Sequence, residues 1–257
     1  MADRGSGHGH LLYRHGHSVV HRLAPQAKLV AALAFMLLVV ATPSTARWAF
    51  AAYALLLAVV AGAAHVPPVF LARRAVVELP FVVAAVLMPI VATGPRVDAL
   101  GLSLSQSGLE SAFNLLVKAT LGVLTSLLLA ATTDLRAVLT GLQRLHVPPL
   151  LVEIMSFMLR YIEVVGAEMQ RMRVARESRC FEARRGDRLR IMAASTAALF
   201  LRAYERGERV HLAMLSRGYS GGLPVLDTGR ASTREWATAA LLPGIAAAVA
   251  ASAWLSA

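Results

Sequence analysis

Eight arginines fall within the twenty residues 171–190, "RMRVARESRCFEARRGDRLR", of a chain that is otherwise apolar. Extended to residue 217, the stretch holds twelve arginines, five acids and no lysine. That choice is chemically specific. A guanidinium offers parallel N–H donors to a carboxylate or phosphate and stays charged when partly buried, whereas lysine would suffice for solvation. Three uses compete. Some of these arginines orient the chain in a membrane and meet lipid phosphates. A nucleic-acid surface is disfavoured, because the block lacks interleaved aromatics and sits beside apolar spans. Docking to acidic grooves of a partner protein is favoured, because two long helical patterns end in the same type of tripeptide, "SRC" (178–180) and "SRG" (216–218).

Other reactive residue types carry less. The tail "HGHLLYRHGHSVVH" holds His8, His10, His15, His17 and His21, and its Gly-flanked pairs could chelate Ni²⁺ or Co²⁺. A disordered polar tail is the preferred reading, since ligands in unstructured chain lose ordering entropy on binding. Lys118 and Glu78 lie in separate apolar segments and could pair; otherwise Glu78 snorkels and Lys118 packs internally. His146, ahead of Pro148 and Pro149, reads as a helix-end residue, and His211 as a partly exposed helical one. Cys180 is the one cysteine, which excludes an intramolecular disulfide and a Cys-pair metal site. The sequence contains no HExxH and no GxxxxGK[ST]. An enzyme is therefore not expected, no cofactor or metal is assigned, and any ATP hydrolysis belongs to a partner.

The elements that must position these residues follow from composition. Of 257 residues 57% are hydrophobic and 16% charged, and the mean hydropathy is +0.59, which points to a membrane protein. A spanning helix needs about 20 apolar residues to cross ~30 Å of hydrocarbon. Five segments qualify or nearly do: 27–42, 47–66, 76–93, 109–132 and 236–256. The first is short, and the third carries Glu78, Pro80 and Pro89, whose prolines predict kinks. The first 25 residues are polar with no apolar core region, which argues against a signal peptide. Arg and Lys alternate between loops so as to put the N-terminus inside and the C-terminus outside after five crossings.

Between the fourth and fifth spans, residues 134–146 read as a short amphipathic helix capped by Thr133 or Asp134. "VPP" at 147–149 breaks it and opens the next. From Leu150 to about Arg179, Met155, Met158, Ile162, Val165, Met169 and Met172 recur at steps of three and four, forming one helical stripe. "RRGD" at 184–187 predicts a turn in which Gly186 relaxes the backbone and Asp187 caps a second helix, 188–217. "GYSGGLPVLDTGR" (218–230) is a Gly-rich linker to the last span. An arginine near a helix C-terminus followed by glycine is also an ordinary cap, so Arg217–Gly218 fits that role equally well. At Cys180 a left-handed cap would cost about 1–2 kcal/mol, so the first helix could instead continue toward Gly186.

The segments "VVHRLAPQAKLV" (19–30), "LHVPPLLVEIMSFMLRYIEVVGAEMQRMRVARESR" (145–179) and "LFLRAYERGERVHLAMLSRGY" (199–219) resemble the transmembrane T component of energy-coupling factor (ECF) transporters, in particular its cobalt-type CbiQ group. The resemblance covers nearly the whole chain in order and spacing. It implies two cytoplasmic coupling helices whose terminal arginines each enter an acidic groove of one of two ABC ATPase subunits. Here those would be Arg179 and Arg217, preceded by Ser178 and Ser216, with Gly218 matching the family pattern and Cys180 departing from it. It further implies a separate substrate-binding membrane subunit, against which the stripe from Met155 to Met172 would pack, methionine being suited to a shifting surface. A core stripe is the commoner meaning of such spacing.

The sequence thus predicts an all-α polytopic membrane protein with about five transmembrane helices and two long cytoplasmic coupling helices. Its organisation would be a polar His-rich tail (1–25), spans one to four (26–133), a coupling-helix module (134–218), and a linker with the last span (219–257). The location expected is the bacterial inner membrane, with the lipid bilayer as surroundings and no nucleic acid as partner. The implied function is coupling of ATP-driven ATPase movement to import, with cobalt as cargo. Nickel, a vitamin, or a conventional ABC permease with its own substrate path remain alternatives.

Overall fold

The computed structural model describes residues 16, 18–67, 69–71, 75–92, 95–99, 102–179, 186–221 and 231–256. Residues 142–227 belong to one compact unit, and 12–141 with 228–257 to the other. The first is called the arm below, the second the apolar unit.

The apolar unit is built from helices α1 (Val19–Arg22), α2 (Pro25–Ala41), α3 (Arg47–Ala63), a 3₁₀ turn at Ala75–Glu78, α4 (Leu79–Val91), α5 (Gln106–Thr132) and α9 (Thr233–Leu255). Between α4 and α5 stands an antiparallel hairpin, β1 (Arg96–Ala99) and β2 (Leu102–Ser105), with Arg96 opposite Ser105. The expectation of an all-helical chain did not include that hairpin. Each strand has only four residues, and the Leu-Ser-Leu-Ser alternation of β2 was its one short signal, set between two apolar segments.

Two of these helices, α5 and α9, are long and apolar enough to cross a membrane. Pro25–Ala41, Arg47–Ala63 and Val76–Val91 are shorter apolar helices, about 26 Å for seventeen residues. The prolines begin helices as their missing N–H permits: Pro25 opens α2, and Pro80 lies in the first turn of α4. α9 starts on a full capping box, in which Ser232 Oγ accepts from Glu235 N and the Glu235 carboxylate accepts from Ser232 N.

The core of the unit sits around Tyr53, which is fully buried. Phe35 and Phe50 meet its ring edge-to-face at 5.8 and 6.4 Å. Its hydroxyl bonds Thr42 Oγ1 at 2.9 Å and donates to Ala246 O at 3.4 Å, so the polar tip of a buried ring is satisfied. Along α9 the buried residues are all alanines, Ala239, Ala246, Ala250 and Ala253. Small side chains let helix backbones approach closely where lipid supplies no hydrophobic drive, and α9 packs chiefly on α2. Gly108 does the same for α5 on α4. A Cβ there would stand 2.8 Å from Met88 O and Pro89 Cα.

The Glu78–Lys118 pair does not form. Glu78 accepts a hydrogen bond from Thr120 Oγ1, while Lys118 donates to Val40 O at 2.8 Å and stands over the Phe50 ring. Each found a nearer partner in its own surroundings, the lysine a carbonyl near the end of α2 and the glutamate a hydroxyl on α5.

The tetrapeptide His-Val-Pro-Pro occurs at 65–68 and 146–149. At both sites the histidine takes a left-handed φ, +54° at His65 and +60° at His146. The valine N–H then reaches back five residues, Val66 to Ala61 O at 3.0 Å and Val147 to Leu142 O at 3.2 Å. Both helices therefore close in the Schellman manner with histidine where glycine is usual. The expectation that His146 marks a helix end is met, at the end of α6 (Leu135–Arg144).

Candidate functional site

The arm consists of two 29-residue helices, α7 (Pro149–Glu177) and α8 (Asp187–Leu215). Pro149 occupies the first position of α7, as "VPP" predicted. At the start of α8 the expectation needs correcting. Gly186 rather than Asp187 is the cap residue, no side chain caps it, and its φ of −71° is one any residue adopts. The helix therefore begins one residue earlier than expected. His211 lies exposed within α8, as read from the sequence.

The helices run antiparallel, held by two polar contacts far apart in sequence. Glu168 of α7 takes a hydrogen bond from Arg202 of α8, and from Arg171 at 2.6 Å on its own helix. These bonds, Arg171's first, hold the Glu168 carboxyl below the usual carboxylate range. Beside the pair lies a cleft of about 190 Å³ lined by Tyr161, Val165, Leu199 and Arg206. Near one end of the arm, the Tyr219 hydroxyl donates to Glu153 Oε2 at 2.5 Å, and that bond raises the phenol's pKa.

The ends of the two helices repeat one local design. Each finishes on Ala-x-x-Ser-Arg, residues 175–179 and 213–217. Ser178 Oγ donates to Ala175 O at 3.2 Å, and Ser216 Oγ to Ala213 O at 3.0 Å. The serine thereby meets a carbonyl that the helix end leaves without an N–H partner. Both arginines are exposed just beyond. At the second end the residues past the arginine are described as well. Gly218 has φ +84°, its N–H reaches Leu215 O and the Tyr219 N–H reaches Met214 O, both at 3.0 Å. This is a complete Schellman motif with glycine at the left-handed position. The first helix stops at Glu177 rather than continuing toward Gly186, and Cys180 lies outside the described residues. So do His8, His10, His15 and His17.

Antiparallel running places the arginines at opposite ends of the arm. Tyr219 is bonded to the first turns of α7, and Arg179 follows its last. A rise of 1.5 Å per residue separates them by roughly 35 Å along the helix axis. The stripe Met155–Met172 is not a closed core. Met158, Ile162 and Met169 are exposed, the first two by about two thirds, and Met155, Val165 and Met172 are half-buried. Sequence reasoning missed the two cross-helix contacts. A signal for them existed, since folding the chain about the turn at 184–187 sets position 168 opposite 202 or 203 and position 153 near 218.

An apolar helical unit with outward-facing Val, Leu and Ile, and an arginine-rich arm with exposed apolar side chains, define a helical membrane protein. The family model for the cobalt transport protein CbiQ matches residues 16–226, and the chain belongs to that family. A cobalt transport protein CbiQ of Rhodobacter capsulatus is 30% identical over 206 residues, 80% of this chain and 82% of the relative. An energy-coupling factor transporter transmembrane protein EcfT of Listeria innocua is 27% identical over 225 residues, 82% and 84% of the two chains. An uncharacterized protein of Methanocaldococcus jannaschii is 36% identical over 107 residues, and the match spans only 40% of its length.

Proposed function

We propose that this chain is the transmembrane coupling subunit of an ECF-type importer for cobalt, with Arg179 and Arg217 as its docking points for two ATPase subunits. The observation that carries this reading is the repeated Ala-x-x-Ser-Arg end, one copy at each end of an antiparallel arm. Two identical exposed guanidiniums roughly 35 Å apart suit two copies of one acidic groove on two separate proteins better than a single contact. Ser178, Ser216 and Gly218 hold the helix ends in the shape that presents the arginines. The cobalt assignment rests on family membership and on the name carried by the R. capsulatus relative.

Five crossings with the N-terminus inside remain the topology that the charge pattern favours. The exposed Met158, Ile162 and Met169 suit a separate substrate-binding membrane subunit, since flexible thioethers repack as a partner moves. ATP binding would draw the grooves together and shift the arginine-anchored ends, and the arm would pass that movement to the substrate-binding subunit.

The test is co-purification of ATPases with the tagged chain, and cobalt uptake, for Arg179→Ala plus Arg217→Ala. Loss of both is expected, because truncating an arginine buried against a carboxylate costs about 2–5 kcal/mol of association. Retained co-purification and uptake would sink the docking assignment.

A further inference from the structure

At one end of the apolar unit two cavities adjoin, sharing Leu23, Lys28 and Thr132 in their walls. One, of about 220 Å³, is lined almost wholly by aliphatic side chains, among them Val20, Leu57, Val60, Leu128, Leu242 and Ile245. The other is larger, about 610 Å³, with the polar side chains Arg22, Lys28, Thr133, Arg136 and Thr140 among those around it.

Two buried groups in the shared region are unusual. Lys28 is only 8% exposed, and its ammonium donates to Thr132 O at 2.9 Å and His21 O at 3.5 Å. An ammonium has three N–H donors, so one remains for a ligand oxygen. Thr133 is 5% exposed, lines the polar cavity, and its Oγ1 is buried without a hydrogen-bond partner among the described residues. A buried hydroxyl normally finds one. The acids at this mouth are Asp134 and Glu235, and the Glu235 carboxylate is engaged by Ser232 N at 2.8 Å. Cations therefore outnumber uncommitted acids there.

An apolar slot joined to a cationic, hydroxyl-bearing mouth matches an amphipathic anion, and basic pockets between membrane helices accept anionic lipid headgroups. We propose that this chain binds one anionic phospholipid, with its phosphate among Lys28, Arg22, Arg136 and Thr133 and an acyl chain in the aliphatic cavity. A neutral zwitterionic lipid would fill the slot equally but would gain less from the three cations. The occupant would link α1, α2 and α6, which carry Arg22, Lys28 and Arg136, to α5 and α9.

Native mass spectrometry of the full chain in detergent, titrated with dioleoyl phosphatidylglycerol or dioleoyl phosphatidylcholine, tests this. One phosphatidylglycerol per chain is expected at clearly lower concentration than phosphatidylcholine. Arg22→Gln and Arg136→Gln change exposed residues, so folding is not at stake, and each should weaken the preference about fivefold, as ~1 kcal/mol per cation implies. Thr133→Val should also lower it without lowering the melting temperature, because the hydroxyl has no internal partner to lose. Equal retention of the two lipids, or a preference that survives the double arginine variant, overturns the proposal. Displacement of phosphatidylglycerol by millimolar inorganic phosphate would make this a free-phosphate site and overturn it as well.

Discussion

At the Arg217 end of the arm the backbone closes on a left-handed Gly218, and Tyr219 reaches across to Glu153 of the neighbouring helix. At the Arg179 end the same Ala-x-x-Ser-Arg run finishes on a turn in which the Arg179 N–H bonds Arg176 O at 3.2 Å. One local sequence thus ends both helices. What differs lies after the arginine: Gly-Tyr in one case, Cys-Phe in the other. A guanidinium presented from a closed end has less backbone freedom to lose on docking, and the left-handed closure at Gly218 supplies that for Arg217.

The largest expected effect comes from separating the two ends. Arg217→Ala and Arg179→Ala should each weaken ATPase binding by about 2–5 kcal/mol, and titration of either single variant with purified ATPase should show one site lost and one kept. Simultaneous loss of both sites in a single variant would mean that the ends are not independent.

Gly218→Ala comes next. A Cβ at Gly218 meets nothing within 4 Å, so the cost is backbone strain alone, about 1–2 kcal/mol for a left-handed alanine. Hydrogen exchange should rise at Gly218 and Tyr219 and stay unchanged at Arg179. An equal change at Arg179 would show that the effect is not local to the closure at Gly218.

Tyr219→Phe removes the bond to Glu153 while leaving the Schellman closure in place. It should speed exchange in the last turn of α8 without abolishing the protection that the closure at Gly218 gives.

The smallest effect is on pH. The Glu168 carboxyl is held below its ordinary value by Arg171 and Arg202, so its contribution is present above the usual carboxylate range. It is lost as pH falls through the lowered value. Distance measurements between labels on α7 and α8 should show the mid-arm contact loosening under strongly acidic conditions, and Glu168→Gln should remove that dependence.

Much of this was legible residue by residue. Pro149 opening α7, His146 ending α6 and Gly218 closing α8 are consequences of φ restriction and missing N–H groups, which act within a few residues. The Met stripe was legible as a face, but not as an exposed one. The same three-and-four spacing describes a core seam, and only the antiparallel partner determines which side is covered. The Glu78–Lys118 pairing failed for a related reason. Opposite charge within two apolar segments names a possible pair, yet Val40 O and Thr120 Oγ1 lay closer once α2, α4 and α5 had packed.

From the sequence alone came the apolar character, the helix ends and the arginine that stands at each, because composition, capping and periodicity act over short range. The tertiary structure decided how the two helices are joined, through Glu168–Arg202 and Glu153–Tyr219, with one arginine at each end of the arm. It also decided that Lys28 and Thr133 meet at one mouth. Residues a hundred positions apart come together only when helix packing selects one register from many of similar local energy, and neighbouring residues carry no record of that selection.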